Sequence, residues 1–117
     1  MKSHRFSPTI IFLITACLAA AGCRSHITKI HMVNTSAQPL SIIEVTYPGG
    51  AFGKNVLAAG ESYNYNIKTL DDGVLKLQFT DAQGHIHRSY GPALKKDQDG
   101  AIEIKLTQGA VTAELVP

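Results

Sequence analysis

Apolar and polar side chains alternate with period two along much of this chain, the spacing of a half-buried β-strand and not of a helix. Residues 62–69 put Tyr63, Tyr65 and Ile67 on one face and Asn64, Asn66 and Lys68 on the other. Residues 74–80 set Leu75, Leu77 and Phe79 on a common face. Residues 101–107 oppose Ile102, Ile104 and Leu106 to Glu103 and Lys105. Residues 110–116 oppose Val111, Ala113 and Leu115 to Thr112 and Glu114. Residues 27–34 and 40–47 are two further β-branched runs, and 56–58 and 86–90 are shorter strand candidates. No stretch keeps a helical period over three turns.

Turn chemistry separates these runs. Asp71-Asp72-Gly73, the 81–84 segment, Asp99-Gly100 and Gln108-Gly109 supply residues that tolerate the left-handed region. Pro39, Pro48 and Pro92 are expected at strand edges or in loops, where a missing N–H costs least. Seven to eight short strands at spacings of roughly 8 to 12 residues predict an all-β, antiparallel β-sandwich over 27–117. Immunoglobulin-like topology is the first expectation. A transthyretin-like or small barrel arrangement is the alternative.

Charge narrows the function classes. The 117 residues carry 11 Lys+Arg and 9 Asp+Glu. Setting aside Lys2 and Arg5 leaves 9 basic residues against 9 acidic ones from residue 23 onward. A nucleic-acid binder needs a dense basic face to displace counterions, so no nucleic-acid partner is expected. The chain has no Trp, which weakens the case for a base-stacking platform.

Residues 1–22 have the layout of a secretory signal peptide. Lys2, His4 and Arg5 form a basic head, residues 10–21 an uncharged apolar run, and Ala19, Ala20, Ala21 and Gly22 a small-residue end. The run is about a dozen residues, short of the roughly 20 that a membrane-spanning helix needs. It ends Ala20-Ala21-Gly22-Cys23, which resembles the lipobox of bacterial lipoproteins. The family most often has Leu three residues before the Cys, where this chain has Ala20. The resemblance implies cleavage after Gly22 and a diacylglyceryl thioether on Cys23, usually with a third acyl chain on the freed amine. Two or more chains anchor stably where one holds only marginally. Position 24 is Arg. The family's common inner-membrane retention signal is an Asp there, so the resemblance implies the periplasmic face of an outer membrane. Cys17 lies in the segment to be removed and Cys23 is consumed by lipid, so the body keeps no thiol for a disulfide or a metal. Residues 23–26 form the lipidated N-terminus and a short tether.

Among the candidate motifs, Tyr47-Pro48-Gly49-Gly50-Ala51-Phe52-Gly53-Lys54 is the most distinctive. Pro-Gly favours a type II turn. The segment reads as a connection whose aromatics plug the sandwich end, or alternatively as a ligand loop for a glycan or peptide built on Tyr47, Pro48, Gly49, Gly50, Phe52 and Gly53. It is not a phosphate-binding loop, because Lys54 is followed by Asn55. His85-Ile86-His87 sets two imidazoles on one side of a strand and could begin a metal site with His31 or His26 as third ligand. Exposed histidines are the preferred reading, and no metal is expected. Asp97-Gln98-Asp99-Gly100 lacks the EF-hand's first and twelfth ligands, since Lys95 and Leu106 stand there, and is read as a hairpin turn.

Neither G-x-S-x-G nor H-E-x-x-H occurs, and no enzyme or cofactor is expected beyond the covalent lipid on Cys23. With the lipobox, the Tyr-Pro-x-x-x-Phe-Gly segment (47–53) and the Asp-x-x-Gly turn (81–84), the chain resembles small single-domain β-sandwich lipoproteins of bacteria. The resemblance carries no activity with it. A neutral, motif-poor sandwich of this size is expected to serve as a non-catalytic interaction or structural module, and the short tether points to a membrane-proximal envelope protein as partner.

Overall fold

The structure, a computed structural model, describes residues 26–116. The expected signal peptide, Gly22 and Cys23 lie outside the described residues. Eight strands follow one another: β1 (Thr28–Asn34), β2 (Leu40–Tyr47), β3 (Gly50–Leu57), β4 (Ser62–Ile67), β5 (Gly73–Thr80), β6 (Ile86–Leu94), β7 (Gly100–Leu106) and β8 (Val111–Val116). They form two four-stranded sheets, ordered β4-β1-β7-β8 and β3-β2-β5-β6. Among the described residues no helix is long and apolar enough to cross a membrane.

The strand order decides between the expected topologies. In an immunoglobulin sandwich the first two strands share a sheet. Here β1 and β2 lie in different sheets, which leaves the transthyretin-like alternative. Every pairing is antiparallel except β1 with β7, which runs parallel from Thr28↔Gly100 to Asn34↔Leu106.

The alternation sorts side chains as expected in β5 and β7. Leu75, Leu77 and Phe79 face Ile102, Ile104 and Leu106 across a core that also holds Ile30, Met32, Leu40, Ile43, Val45, Leu57, Ile67 and Leu94. Burying one such side chain contributes about 1.5–3 kcal/mol. Strand β3 is longer than the expected 56–58. The chain reverses through Pro48 and Gly49, with Gly49 at φ +112°, and pairs again from Tyr47↔Gly50 onward. Strand β6 runs on through Gly91 and Pro92. It tolerates the proline because it is an edge strand and its register with β5 shifts there, between Val74 and Lys76. The 97–100 segment is not a hairpin turn but the link from β6 in one sheet to β7 in the other, with Asp97 at φ 57°.

Strand β2 carries a bulge. Ser41 pairs with Thr80 and Glu44 with Gln78, so three steps on β2 match two on β5. The extra residue is Ile42, at φ 50° and 64% exposed. A β-branched residue in the left-handed region is rare and strained. Its effect is to turn Ile43 and Val45 inward while Leu40 also stays inward.

One polar side chain ties the turns at one end. Asn34 is fully buried, and its amide donates to the carbonyls of Gln38 (2.8 Å) and Leu57 (2.9 Å). Its oxygen accepts from the Ser36 amide (2.9 Å) and the Ser36 hydroxyl (2.6 Å). This satisfies the full capacity of the side chain and joins the β1–β2 and β3–β4 connections. Asn34→Ala leaves two carbonyls without these donors and is expected to lower the unfolding free energy by about 2–3 kcal/mol, read by urea denaturation. An unchanged midpoint would contradict the role of this residue.

Candidate functional site

The 47–54 segment is hairpin rather than loop, and its aromatics are taken up in packing. Phe52 is 8% exposed and stacks on Tyr65 with ring centroids 4.3 Å apart and an 18° interplanar angle. Tyr47 and Tyr63 each lie 6.4 Å from Phe52, and the Lys54 ammonium sits 5.0 Å from the Tyr63 centroid. This column joins β3, an edge of one sheet, to β4, an edge of the other, and so seals one side of the sandwich. On the opposite side β6 and β8 meet. A Cβ at Gly50 would lie 2.7 Å from the Tyr47 hydroxyl, so a larger residue there would force the Tyr47 ring to shift. Burial, and then the neighbouring Tyr65, push the Tyr47 phenol above its usual pKa. Tyr47 and Phe52 thus pack against the core and plug the sandwich.

His85 and His87 do not form the matched pair expected on one strand face. His85 precedes β6 in the turn, with its side chain 76% exposed. His87 is 25% exposed and lies over Phe79, with ring centroids 4.9 Å apart. What unites them is Asp81, which sequence reasoning treated only as a turn residue. Its carboxylate accepts from His87 Nε2 at 2.8 Å and from the backbone amides of Gln83 and His85 at 2.9 Å each. The hydrogen bond from His87 is the main cause that holds Asp81 down at about 2, against the opposing effect of burial. The proposed third metal ligands lie elsewhere. His31 bonds Glu103 at 2.9 Å on the outer face of the β1 sheet, and His26 bonds Asp99 at 2.7 Å. Among the described residues no group of three or more His, Cys, Asp or Glu is placed to hold a metal. The Asp81 cluster is a turn staple.

The two outer faces of the sandwich differ in chemistry. On the β1 sheet the rows read Asn66–Lys29–Ala101–Val116, Asn64–His31–Glu103–Glu114 and Ser62–Val33–Lys105–Thr112, which is mostly polar. On the β2 sheet they read Val56–Ser41–Thr80–Ile86, Gly53–Glu44–Gln78–Arg88 and Ala51–Thr46–Lys76–Tyr90. Exposed large apolar side chains gather on this second face: Ile42, Val56, Val74, Ile86 and Tyr90, the last 76% exposed. Between them lies a hollow of about 180 Å³ lined by Glu44, Thr46, Lys76, Gln78, Arg88 and Tyr90. Single solvated charges in a strand pattern carry no signal of this gathering. Only the register across four strands reveals it.

No family model and no curated protein matches the chain. In structure it is similar to a protein from Eubacterium rectale solved by NMR, with a TM-score of 0.57 and 18% sequence identity. The match covers 80% of this chain and 94% of that one. At this identity the likeness shows the small all-β, two-sheet fold alone.

The Asp81 staple has a pH signature. Its folded value of about 2 lies below the ordinary carboxylate value of about 3.9. Its stabilising contribution is therefore complete above about pH 4 and is lost as pH falls towards about 2. Asp81→Asn is expected to melt below the wild type at neutral pH, with the gap shrinking at about pH 2. Thermal unfolding at several pH values checks this, and a gap independent of pH would contradict it.

Proposed function

We propose that this protein is a lipoprotein of the bacterial cell envelope, held at the periplasmic face of the outer membrane by lipid on Cys23. In this reading it serves as a non-catalytic interaction or structural module. The observation that carries the reading is the short leash between the lipobox cysteine and the first strand. Strand β1 is a central strand and begins at Thr28, with only four residues between it and Cys23. Fully extended, four residues reach on the order of 14 Å. His26 already contacts the body of the domain through a 2.7 Å bond to Asp99. A domain so tethered stays beside the bilayer, within reach of other membrane-proximal molecules of the envelope.

The alternative of a ligand loop at residues 47–54 has less support, because Tyr47 and Phe52 are occupied in sealing the sandwich. The metal-handling alternative has less support as well, because Asp81 holds His87 against Phe79.

Mass spectrometry of the mature N-terminus together with membrane fractionation tests the anchoring. The expected result is a membrane-bound chain that starts at diacylglyceryl-modified Cys23, and release of Cys23→Ala into soluble fractions. A soluble mature chain with an unmodified Cys23 would overturn the proposal.

A further inference from the structure

We infer that the outer face of the β2 sheet is a binding site for a carboxylate-bearing saccharide, centred on Arg88, Lys76, Glu44, Gln78 and Tyr90. This deepens the interaction-module reading and rests on it for the compartment only, because the site is built entirely from described residues.

The first support is the charge of the hollow. Lys76 and Arg88 stand there with a single acid, Glu44. Among the described residues every ion pair involves a histidine, so neither cation is neutralised by a carboxylate within 4.0 Å. Arg88 is held in place, because its Nε donates to Gln78 Oε1 at 2.9 Å. That bond leaves both terminal nitrogens of the guanidinium free for a bidentate carboxylate. Tyr90 lies at the end of the neighbouring row, beside Lys76, with most of its surface exposed to meet the apolar face of a sugar ring. Glu44, Thr46 and Gln78 are acceptors and donors suited to hydroxyls.

The second support is the backbone. The strained bulge at Ile42 is what turns Glu44 outward into the hollow, since the unbulged alternation from Ser41 would send it inward. Bulges that re-aim a side chain recur beside functional sites. A second register shift, in β6 between Tyr90 and Ala93, borders the hollow on its other side.

The same features disfavour other occupants. Protein interfaces have an apolar centre and a polar rim. This face has the reverse, with charges at the centre and Ile42, Val56, Ile86 and Val74 towards its ends. A second copy would set two cations and one acid against the same set, an excess of like charge. Extended peptides are captured mainly by main-chain bonds along a sheet edge, whereas this is a sheet face. At about 180 Å³ the hollow suits one ring of a longer saccharide and not an enclosed ligand.

Isothermal titration calorimetry of the full-length chain with oligogalacturonate tests the site, with a neutral cello-oligosaccharide and an acidic peptide in parallel. The expected result is saturable binding of the acidic sugar that weakens with salt. It should fall about tenfold or more in Lys76→Ala/Arg88→Ala and in Tyr90→Ala. These side chains are exposed, so the melting midpoints are expected to stay unchanged, which separates lost binding from lost fold. No binding of oligogalacturonate, equal affinity for the neutral sugar, preference for the acidic peptide, or affinity unchanged in the variants would each overturn the inference. None of those outcomes alters the lipidation state of Cys23, so the anchoring proposal stands or falls separately.

Discussion

Side-chain parity in β2 is the constraint on which the rest of the molecule depends. The run Leu40-Ser41-Ile42-Ile43-Glu44-Val45-Thr46-Tyr47 cannot bury its apolar residues in a regular strand. One parity buries Leu40 and Ile42 together with Glu44 and Thr46. The other buries Ile43, Val45 and Tyr47 with Ser41 and strands Leu40 in solvent. Inserting Ile42 as an extra residue resolves the conflict, because Leu40, Ile43 and Val45 all reach the core. Its cost is a β-branched residue held at φ 50°, of order 1–3 kcal/mol for such strain. Against the second parity the bulge brings Leu40 into the core, and against the first it exchanges Ile42 for Ile43 and Val45; either way the net gain of one side chain, worth about 1.5–3 kcal/mol, is enough to offset the strain. The bulge therefore pays for itself in packing and also decides which charges face outward.

Sealing the sides of the sandwich follows from how the sheets end. Each sheet has two edges, and the aromatic column of Tyr47, Phe52, Tyr63 and Tyr65 covers one opening while β6 meets β8 at the other. At one end Asn34 binds two turns together, and nearby the Asp81 carboxylate secures the β5–β6 hairpin. With the sides closed and the turns tied, the two outer sheet faces are the broad surfaces left to meet other molecules. The two faces differ in composition, one mostly polar and the other with exposed apolar side chains around a charged centre.

Much of the fold was legible from alternation alone. The inward faces of β5 and β7 were readable because Leu75, Leu77, Phe79, Ile102, Ile104 and Leu106 interleave with polar neighbours. Strand β3 was not, since Gly50-Ala51-Phe52-Gly53 has little strand propensity and is recruited by pairing with β2. Strand order was not legible either. The parallel β1·β7 pair joins residues such as His31 and Glu103, 72 positions apart, and local pattern carries no trace of such a contact. Pairings of that separation also form slowly, because the loop must close before any contact is made. At the candidate site, Lys76, Gln78 and Arg88 read singly as ordinary solvated positions. They become a cluster only when β5 and β6 pair in register. The broken alternation at Ile42-Ile43 was the one sequence signal that could have announced the bulge.

Cysteine accessibility measures the parity of β2 most directly. The body has no cysteine of its own, so Ile43→Cys and Glu44→Cys each place a single new thiol there, and peptide mapping separates it from Cys17 and Cys23. With the bulge in place, a maleimide is expected to label Glu44→Cys within the native state and Ile43→Cys only as the protein unfolds. Rapid labelling at position 43 with protection at 44 would mean that β2 runs unbulged, and both the core assignment and the charged outer face would have to be redrawn.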